Sequence, residues 1–396
     1  MTIQAALEQR EKLERLFDAQ EECSLDPSRI EEFLASGYEH PFLLLDLDIV
    51  RQKYHRFRAA MPRVEPHYAV KANPDVRVLR ALQQENCQFE IASIKELETL
   101  CSIGVDPRAI QYSNPVKPAS YIQAAASKGV QWFAFDSVNE LEKIRRLVPE
   151  AKLYLRFDTP NIGSDWPLTG KFGMKMRDIQ STLEVAVRLN ANVCGVTFHV
   201  GSQCRNIDNW TQAIEASKKI FKMMRESGLT PEFLNIGGGY PVRLAKPIPT
   251  IEYIGESIEE ALSTVDKDIR VIAEPGRYMV SDAAYFVCQV IGKAYRDEER
   301  WLFLDAGVFG GLMECSQGIQ YDVQVPHKSG PLAPWYLAGP SCDSVDVLGR
   351  MHMLPESVAE GDLLYFPNAG AYTTVYANEF NGFPLPKTVV INEKSY

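Results

Sequence analysis

The chain has no excess of basic residues, because 42 lysines and arginines face 52 aspartates and glutamates. The formal net charge of −10 at pH 7 disfavours a nucleic-acid partner and suits a cationic substrate. The eight cysteines include no C-x-x-C pair, so we predict neither a zinc site nor a small disulfide framework. No run approaches the roughly 18 apolar residues of a membrane span. The N-terminus lacks the apolar core of a signal peptide, so we expect a cytoplasmic protein without membrane contact.

No G-x-G-x-x-G turn follows the first strand-like run, which disfavours the main alternative fold, an open doubly wound sheet. Eight short apolar runs are present instead, with helix-like stretches between them. They are VEPHYAVKA (64–72), CQFEIAS (87–93), IQYSNPV (110–116), WFAFDS (132–137), KLYLRF (152–157), VCGVTFHVG (193–201), FLNIGGG (233–239) and VIAEPG (271–276). Eight strands alternating with helices over roughly 250 residues predict an α/β fold, a (β/α)8 TIM barrel.

From about residue 280 the pattern changes to strands without long helices between them. The runs are AAYFVCQVIGKAYR, RWLFLDAG, APWYLAG, GDLLYFPN and KTVVINE. They predict a mostly β C-terminal domain. We therefore expect an N-terminal segment over residues 1–41 that joins the β-domain, a barrel over 42–279 and the β-domain over 280–396.

Polar residues gather where the predicted barrel strands end. They are Lys71, Glu90, Asn114, Asp136, Arg156, His199, residues 237–239, Glu274 and Arg277. Active sites of such barrels lie at the C-terminal ends of the strands, so we expect the active site there. Lys71 stands at what reads as the last buried step of a strand, where an ammonium is costly to desolvate. Such a lysine is either neutralised by pairing or used chemically.

Several of these residues fit one cofactor, although each also has a structural interpretation. The glycines of IGGGYP (236–241) can expose backbone N–H groups to a phosphate. Glu274 either pairs with Arg277 or tunes a cofactor ring, and His199 is either a core histidine or stacks on that ring. Pyridoxal 5'-phosphate requires a lysine, a phosphate cradle and a group at its ring nitrogen, so it uses all of these together. No metal site is predicted.

Six motifs over nearly the whole chain carry a resemblance to a known family. They are YAVKAN, FHVGSQ, IGGGYP, EPGRY, GPSCDSVDVL, and GAYT with EFNGF. In these motifs the chain resembles the fold type III, group IV pyridoxal-phosphate decarboxylases, which include the ornithine and lysine/ornithine decarboxylases. The resemblance implies an alanine-racemase-like barrel followed by a β-domain. It also implies a head-to-tail homodimer whose two active sites are shared across the interface.

The resemblance also implies roles for individual residues. Lys71 is then the lysine that bonds to the cofactor aldehyde, His199 stacks on the ring, and Glu274 pairs with the ring nitrogen. The residues implied around the phosphate or along the cofactor side of the barrel are Glu90, Arg156, Ser202, Gly238, Gly239, Gly276, Arg277 and Tyr372. Cys342 is implied to come from the partner subunit and to return a proton to the substrate's α-carbon. The alternative for Cys342 is a buried apolar thiol.

Two aspartates indicate the substrate within that family. Asp343 follows Cys342, as in the ornithine and lysine enzymes, whereas diaminopimelate decarboxylases have glutamate there. Asp322 resembles a second contact for the distal amine, although the stretch 307–322 is longer than in eukaryotic ornithine decarboxylases and Phe309 replaces a tyrosine. We expect L-ornithine to be converted to putrescine, with L-lysine to cadaverine as a second reaction.

Other functions stay open on this scaffold. Arginine, diaminopimelate or carboxynorspermidine could be the substrate, and a catalytically inactive, decarboxylase-like regulatory protein is the remote alternative. Asp343 argues against diaminopimelate, and Glu274 argues against a racemase, because racemases of this scaffold usually place arginine at the ring nitrogen.

Overall fold

A computed structural model of the chain describes residues 25–37, 39–168 and 170–394. Most of the predicted N-terminal segment, residues 1–24, lies outside the described residues. The described chain divides into two compact units. Residues 54–241 and 249–276 form the barrel unit, and the described residues before 54, residues 242–248 and those from 277 onward form the sheet unit.

Strands and helices are numbered here in chain order. The strands are β1 (Phe42–Asp46), β2 (Val64–Ala69), β3 (Gln88–Ile91), β4 (Gln111–Tyr112), β5 (Trp132–Phe135), β6 (Lys152–Arg156), β7 (Ser164–Trp166), β8 (Val193–Thr197), β9 (Ser202–Cys204), β10 (Phe233–Asn235), β11 (Arg270–Ala273), β12 (Ala284–Arg296), β13 (Glu299–Leu304), β14 (Leu332–Ala338), β15 (Val347–Pro355), β16 (Leu363–Pro367) and β17 (Lys387–Ile391). The α-helices are α1 (Ser28–Ala35), α2 (Leu47–Ala60), α3 (Val76–Gln84), α4 (Ile94–Ser102), α5 (Ala119–Ser127), α6 (Val138–Leu147), α7 (Met176–Arg188), α8 (Asp208–Glu226), α9 (Ile251–Leu262) and α10 (Arg277–Val280).

The predicted barrel is confirmed, because eight parallel strands close on themselves in the order β10-β11-β2-β3-β4-β5-β6-β8. Each of the eight apolar runs contains one barrel strand. These strands are buried almost throughout, as continuous apolar runs in a parallel sheet require. A short antiparallel ribbon of β7 and β9, which was not predicted, lies outside the barrel wall.

Aromatic side chains fill part of the barrel unit's core. Trp132, Tyr154 and Phe233 belong to one buried cluster, with the Trp132 and Phe233 ring centroids 4.8 Å apart. Gly195 makes room for this packing, because a Cβ there would lie 2.8 Å from the Cβ and ring of Phe233. The large rings therefore occupy the space that smaller side chains would leave open.

Helices of the barrel unit begin where the sequence supplies capping side chains. Ser93 Oγ accepts from the backbone N–H of Glu96, and Glu96 Oε2 accepts from Ala92 N at 2.6 Å. These two bonds to backbone N–H groups start α4 directly after β3. Ser137 Oγ caps α6 in the same way after β5. Such caps keep the strand–helix turns short and fix where each strand ends.

The sheet unit contains the five predicted β strands and two more, β15 and β1, and β1 lies within the range 42–279 that was predicted for the barrel. Its strand order is β15-β14-β13-β12-β1-β17, and β16 pairs with β12. β1, from the N-terminal side of the barrel sequence, pairs antiparallel with β12 and parallel with β17. The mostly β C-terminal domain is thus confirmed, whereas β15 was missed. Within the described residues, no helix is long and apolar enough to span a bilayer.

Candidate active site

The polar residues predicted at the strand ends lie at the carboxyl rim of the barrel. Asp136 directly follows β5, Arg156 is the last residue of β6, and Glu274 directly follows β11. Lys71, Asn114 and His199 each stand two residues beyond their strands. Because the strands are parallel and closed into a barrel, these side chains share one rim. The clustering inferred from the sequence is therefore a real spatial cluster.

Lys71 does not occupy a buried strand position, which corrects the sequence-based prediction. β2 ends at Ala69, whose N–H donates to Pro275 O, and the chain then forms a single 3-10 turn over Val70–Ala72. The Lys71 side chain is 43% exposed, and its Nζ lies 2.8 Å from Oε2 of the buried Glu90. The Glu90 carboxylate thus holds an amine whose side chain stays partly exposed to solvent.

Glu274 is buried at the rim and is held by two neutral donors. Ser113 Oγ and Asn235 Nδ2 both donate to its Oε1, the second at 2.5 Å. Burial and the nearby Glu90 charge raise the pKa of Glu274 to about 7, although Lys71 and the two donors oppose this. Because little solvent reaches the Glu274 carboxylate, it is suited to a buried cationic partner.

The sequence analysis missed the residues that hold Glu274. Asn235 is fully buried at the end of β10, and its Oδ1 accepts from Gly237 N at 2.8 Å while its Nδ2 serves Glu274. The Ser113 hydroxyl also lies 2.8 Å from the Tyr154 hydroxyl. The sequence feature that could have identified Asn235 is its position as the one asparagine inside an apolar strand. A buried side-chain amide needs hydrogen-bond partners for both its oxygen and its nitrogen.

His199 is neutral in this environment. Burial lowers its pKa well below the usual range, and the charges of Arg156 and Lys71 lower it further. Its Nδ1 accepts from Gly201 N at 3.0 Å, so the ring proton lies on Nε2. A neutral imidazole fixed at one nitrogen can present its flat face to an aromatic ligand.

The glycine loop after β10 packs against neighbouring backbone. A Cβ at Gly238 would lie 2.6 Å from Glu274 O and 3.2 Å from His199 Nε2. A Cβ at Gly239, where φ is +98°, would lie 2.2 Å from Gly201 O. Larger residues would therefore displace the loops that carry His199 and Glu274.

The other predicted cofactor residues of the barrel unit line the same rim. Arg156 stands over the Phe172 ring, with 5.2 Å between its Cζ and the ring centroid. Burial lowers the pKa of Arg156, which the nearby carboxyls, Glu274 first, oppose. Ser202 begins β9, next to the His199 loop, and Gly276 ends the unit.

In the sheet unit, Arg277 forms an ion pair with Glu314, which the sequence did not reveal. Its Nη2 lies 2.6 Å from Oε1 of Glu314, and both side chains are buried. Burial would lower the pKa of Arg277, but Glu314 outweighs this and raises it above its usual range. The guanidinium also stands 4.9 Å from the Tyr372 ring centroid.

The predicted substrate residues also belong to the sheet unit. Cys342 and Asp343 lie on an exposed loop between β14 and β15. Asp322 lines a cavity of about 300 Å³ together with Arg350 and His352. Partial burial raises the pKa of Asp322, and Arg243 opposes the shift. The described residues contain no group of three or more histidine, cysteine or acidic side chains arranged for a metal ion.

These residues fit pyridoxal 5'-phosphate. The barrel rim offers an accessible amine, a neutral flat imidazole, a buried carboxylate and a loop that only glycine can occupy. This donor set matches the aldehyde, ring, ring nitrogen and phosphate of the cofactor. Together with the (β/α)8 barrel and the separate sheet unit, it defines the class as a fold type III pyridoxal-phosphate enzyme.

Comparison with known proteins narrows the class to a family. The model of the pyridoxal-dependent decarboxylase pyridoxal binding domain matches residues 47–281, and that of the C-terminal sheet domain matches residues 200–370. The chain belongs to the pyridoxal-dependent decarboxylase family. It is a decarboxylase that uses pyridoxal 5'-phosphate.

Relatives of known name cover most of this chain. The ornithine decarboxylase of Schizosaccharomyces pombe is 36% identical over 89% of this chain and 83% of its own length. A lysine/ornithine decarboxylase structure from Vibrio vulnificus, complexed with cadaverine, matches with a TM-score of 0.86 and 33% identity over 93% of this chain and 100% of that one. The arginine decarboxylase structure of Paramecium bursaria Chlorella virus matches with a TM-score of 0.87 and 31% identity over 92% and 100%.

Proposed function

We propose that this enzyme decarboxylates a basic L-amino acid, L-ornithine first and L-lysine second, to putrescine and cadaverine. The observation that carries the proposal is Asp343, an exposed carboxylate directly after Cys342 on the same loop. An ammonium at the far end of a substrate would form a charge-assisted pair with it. The names of the fission yeast and Vibrio relatives support the same substrates.

Asp322 is the second carboxylate of the proposal. Desolvation raises the pKa of Asp322, and a substrate cation beside it would oppose that shift. Arg350 lines the same cavity, and its positive charge would disfavour a second cationic group there. We therefore propose a site for one terminal ammonium.

The residues at the barrel rim have different roles in the proposed reaction. Pyridoxal 5'-phosphate, when bound, supplies an aldehyde and a ring that accepts electrons as CO2 leaves. Lys71 provides the amine that bonds to the cofactor, and Glu90 holds that amine in place. Glu274, fixed by Ser113 and Asn235, favours a proton on the ring nitrogen.

The remaining roles concern orientation and the phosphate. His199 and Arg156 would lie beside the ring, and backbone and side-chain donors would hold the phosphate. The residues proposed for it are Ser202, Gly238, Gly239, Gly276, Arg277 and Tyr372. Cys342 returns a proton to the α-carbon. We further propose a homodimer in which Cys342 and Asp343 of one subunit complete the barrel site of the other.

The test is CO2 release by purified, cofactor-loaded protein on L-ornithine, L-lysine, L-arginine and meso-diaminopimelate. We expect kcat/KM to be highest for ornithine, with lysine within about 200-fold because one methylene changes binding by about 1–3 kcal/mol. The arginine decarboxylase match makes arginine the main alternative to these two substrates. Arginine or diaminopimelate in first place would contradict the proposal.

Replacing Asp343 by asparagine should lower kcat/KM for ornithine by about 10²-fold, mostly through KM, because a neutral amide loses the charge of the pair. The visible absorbance of the bound cofactor should not change. Asp268→Asn, at an exposed position before β11, is the matched control and should behave like the wild type. Unchanged kinetics in Asp343→Asn would exclude Asp343 as the distal contact.

A further inference from the structure

The Cys342 thiol is held by an amide from a distant part of the sheet unit. Asn381 Oδ1 accepts from the backbone N of Cys342 at 3.3 Å and from its Sγ at 3.4 Å. Because a backbone N–H can only donate, the Asn381 atom that faces it is the oxygen. An amide oxygen has no proton to give, so the thiol S–H is the donor in the second bond.

The segment that carries Asn381 is fixed in place. Asn381 adopts a left-handed conformation with φ of +57°, which asparagine tolerates better than most residues. Asn378 N donates to Phe309 O at 2.9 Å, and the Phe309 and Phe380 ring centroids are 4.4 Å apart. The amide is thus presented by a segment anchored on the turn at 308–312.

The same turn holds the Cys342 loop from its other end. Asp346 is buried, and its two carboxylate oxygens accept from Val308 N at 2.7 Å and from Ser341 N at 3.1 Å. The Asn381 segment and the Cys342 loop are therefore both attached to the turn at 308–312. Asp346 holds the loop backbone at Ser341, and Asn381 holds both the backbone N–H and the thiol of Cys342.

We propose that Asn381 is a positioning residue that orients the Cys342 thiol for proton return by accepting a hydrogen bond from its S–H group. The inference rests on the proposed function, in which the thiol gives its proton to the α-carbon as a new C–H bond forms. The resulting thiolate takes a proton from water before the next turnover. A hydrogen-bond acceptor at the thiol favours its protonated form, and that form is the one a proton donor needs.

Two variants test the contact. Asn381→Gly removes the amide and suits the left-handed backbone, whereas Asn381→Asp keeps the shape and supplies a stronger acceptor. The readout is the rate of Cys342 alkylation by iodoacetamide against pH, followed by mass spectrometry of the Cys342 peptide. We expect the profile to move to lower pH in Asn381→Gly and to higher pH in Asn381→Asp. Loosening of the loop alone would not move the two profiles in opposite directions.

Turnover gives the second readout. Asn381→Gly should lower kcat about tenfold with KM within about twofold, because proton return follows substrate binding. Asn86→Gly, at another left-handed position with φ of +62° in the barrel unit, is the control and should match the wild type. Wild-type alkylation profiles in both Asn381 variants would overturn the inference alone. Equal turnover of Cys342→Ala and wild type would overturn the role of Cys342 and the inference with it.

Discussion

Replacing Lys71 with arginine is expected to lower kcat/KM by at least about 10³-fold, because a guanidinium cannot form the covalent bond to the cofactor aldehyde. Arginine keeps the positive charge beside Glu90, whose Oε2 lies 2.8 Å from the lysine amine. The substitution therefore separates the two roles considered for this lysine. If Lys71 served only to neutralise Glu90, arginine would preserve activity.

The measurement is steady-state CO2 release with L-ornithine, alongside the visible absorbance of the purified protein. Lys95→Ala is the matched control, because Lys95 is an exposed lysine on α4. It should retain the absorbance and the turnover of the wild type. Lys71→Arg protein that kept wild-type turnover would show that the amine is not the reactive group.

Two inactive variants should restore activity when they share a dimer. Lys71→Ala damages the barrel contribution to a site, and Cys342→Ala damages the contribution of the sheet unit. If sites are shared between subunits, half of a random mixture is mixed dimers, and each of these contains one intact site. Co-expressed variants should then reach about a quarter of wild-type activity, although each alone is nearly inactive.

The control for this experiment pairs two barrel variants, Lys71→Ala and Glu274→Ala. Both changes affect the same half of each proposed site, so no mixed dimer contains an intact one. Recovery in the first pair only would support sites shared across a dimer. No recovery in the first pair would contradict the proposal that Cys342 acts in the partner's site.

The barrel was predictable because its parallel strands are buried on both faces. Such strands must be continuous apolar runs, and runs such as WFAFDS and KLYLRF contain β5 and β6. The rim followed from topology, because parallel strands place all their carboxyl ends together. The sequence could not show where β2 stops, since the turn at Lys71 depends on Ala69 N bonding to Pro275 O.

The sequence could not reveal which residues far apart in the chain form hydrogen bonds and ion pairs with each other. Glu274 is two residues from Gly276 and three from Arg277, yet it bonds to Ser113 and Asn235 while Arg277 pairs with Glu314. No feature of the neighbouring sequence identifies these partners, because the barrel wall sets the direction in which the Glu274 carboxylate points. A polar residue in a buried strand was the one usable signal.

β15 was missed for a different reason. Its burial pattern alternates poorly, because the neighbours Arg350 and Met351 are both exposed. Met351 also adopts a left-handed φ of +63°. A strand with this irregularity lacks the period of two that identifies strands from sequence. Its register is instead set by pairing with β14, which the sequence alone does not specify.

The central claim is that the barrel rim holds pyridoxal 5'-phosphate on Lys71. The most direct test is borohydride reduction of the cofactor-loaded wild-type protein, followed by peptide mass mapping. We expect a single reduced cofactor adduct on the peptide that contains Lys71, and no such adduct in Lys71→Arg protein. An adduct on another lysine, or an adduct that persists in Lys71→Arg, would contradict it.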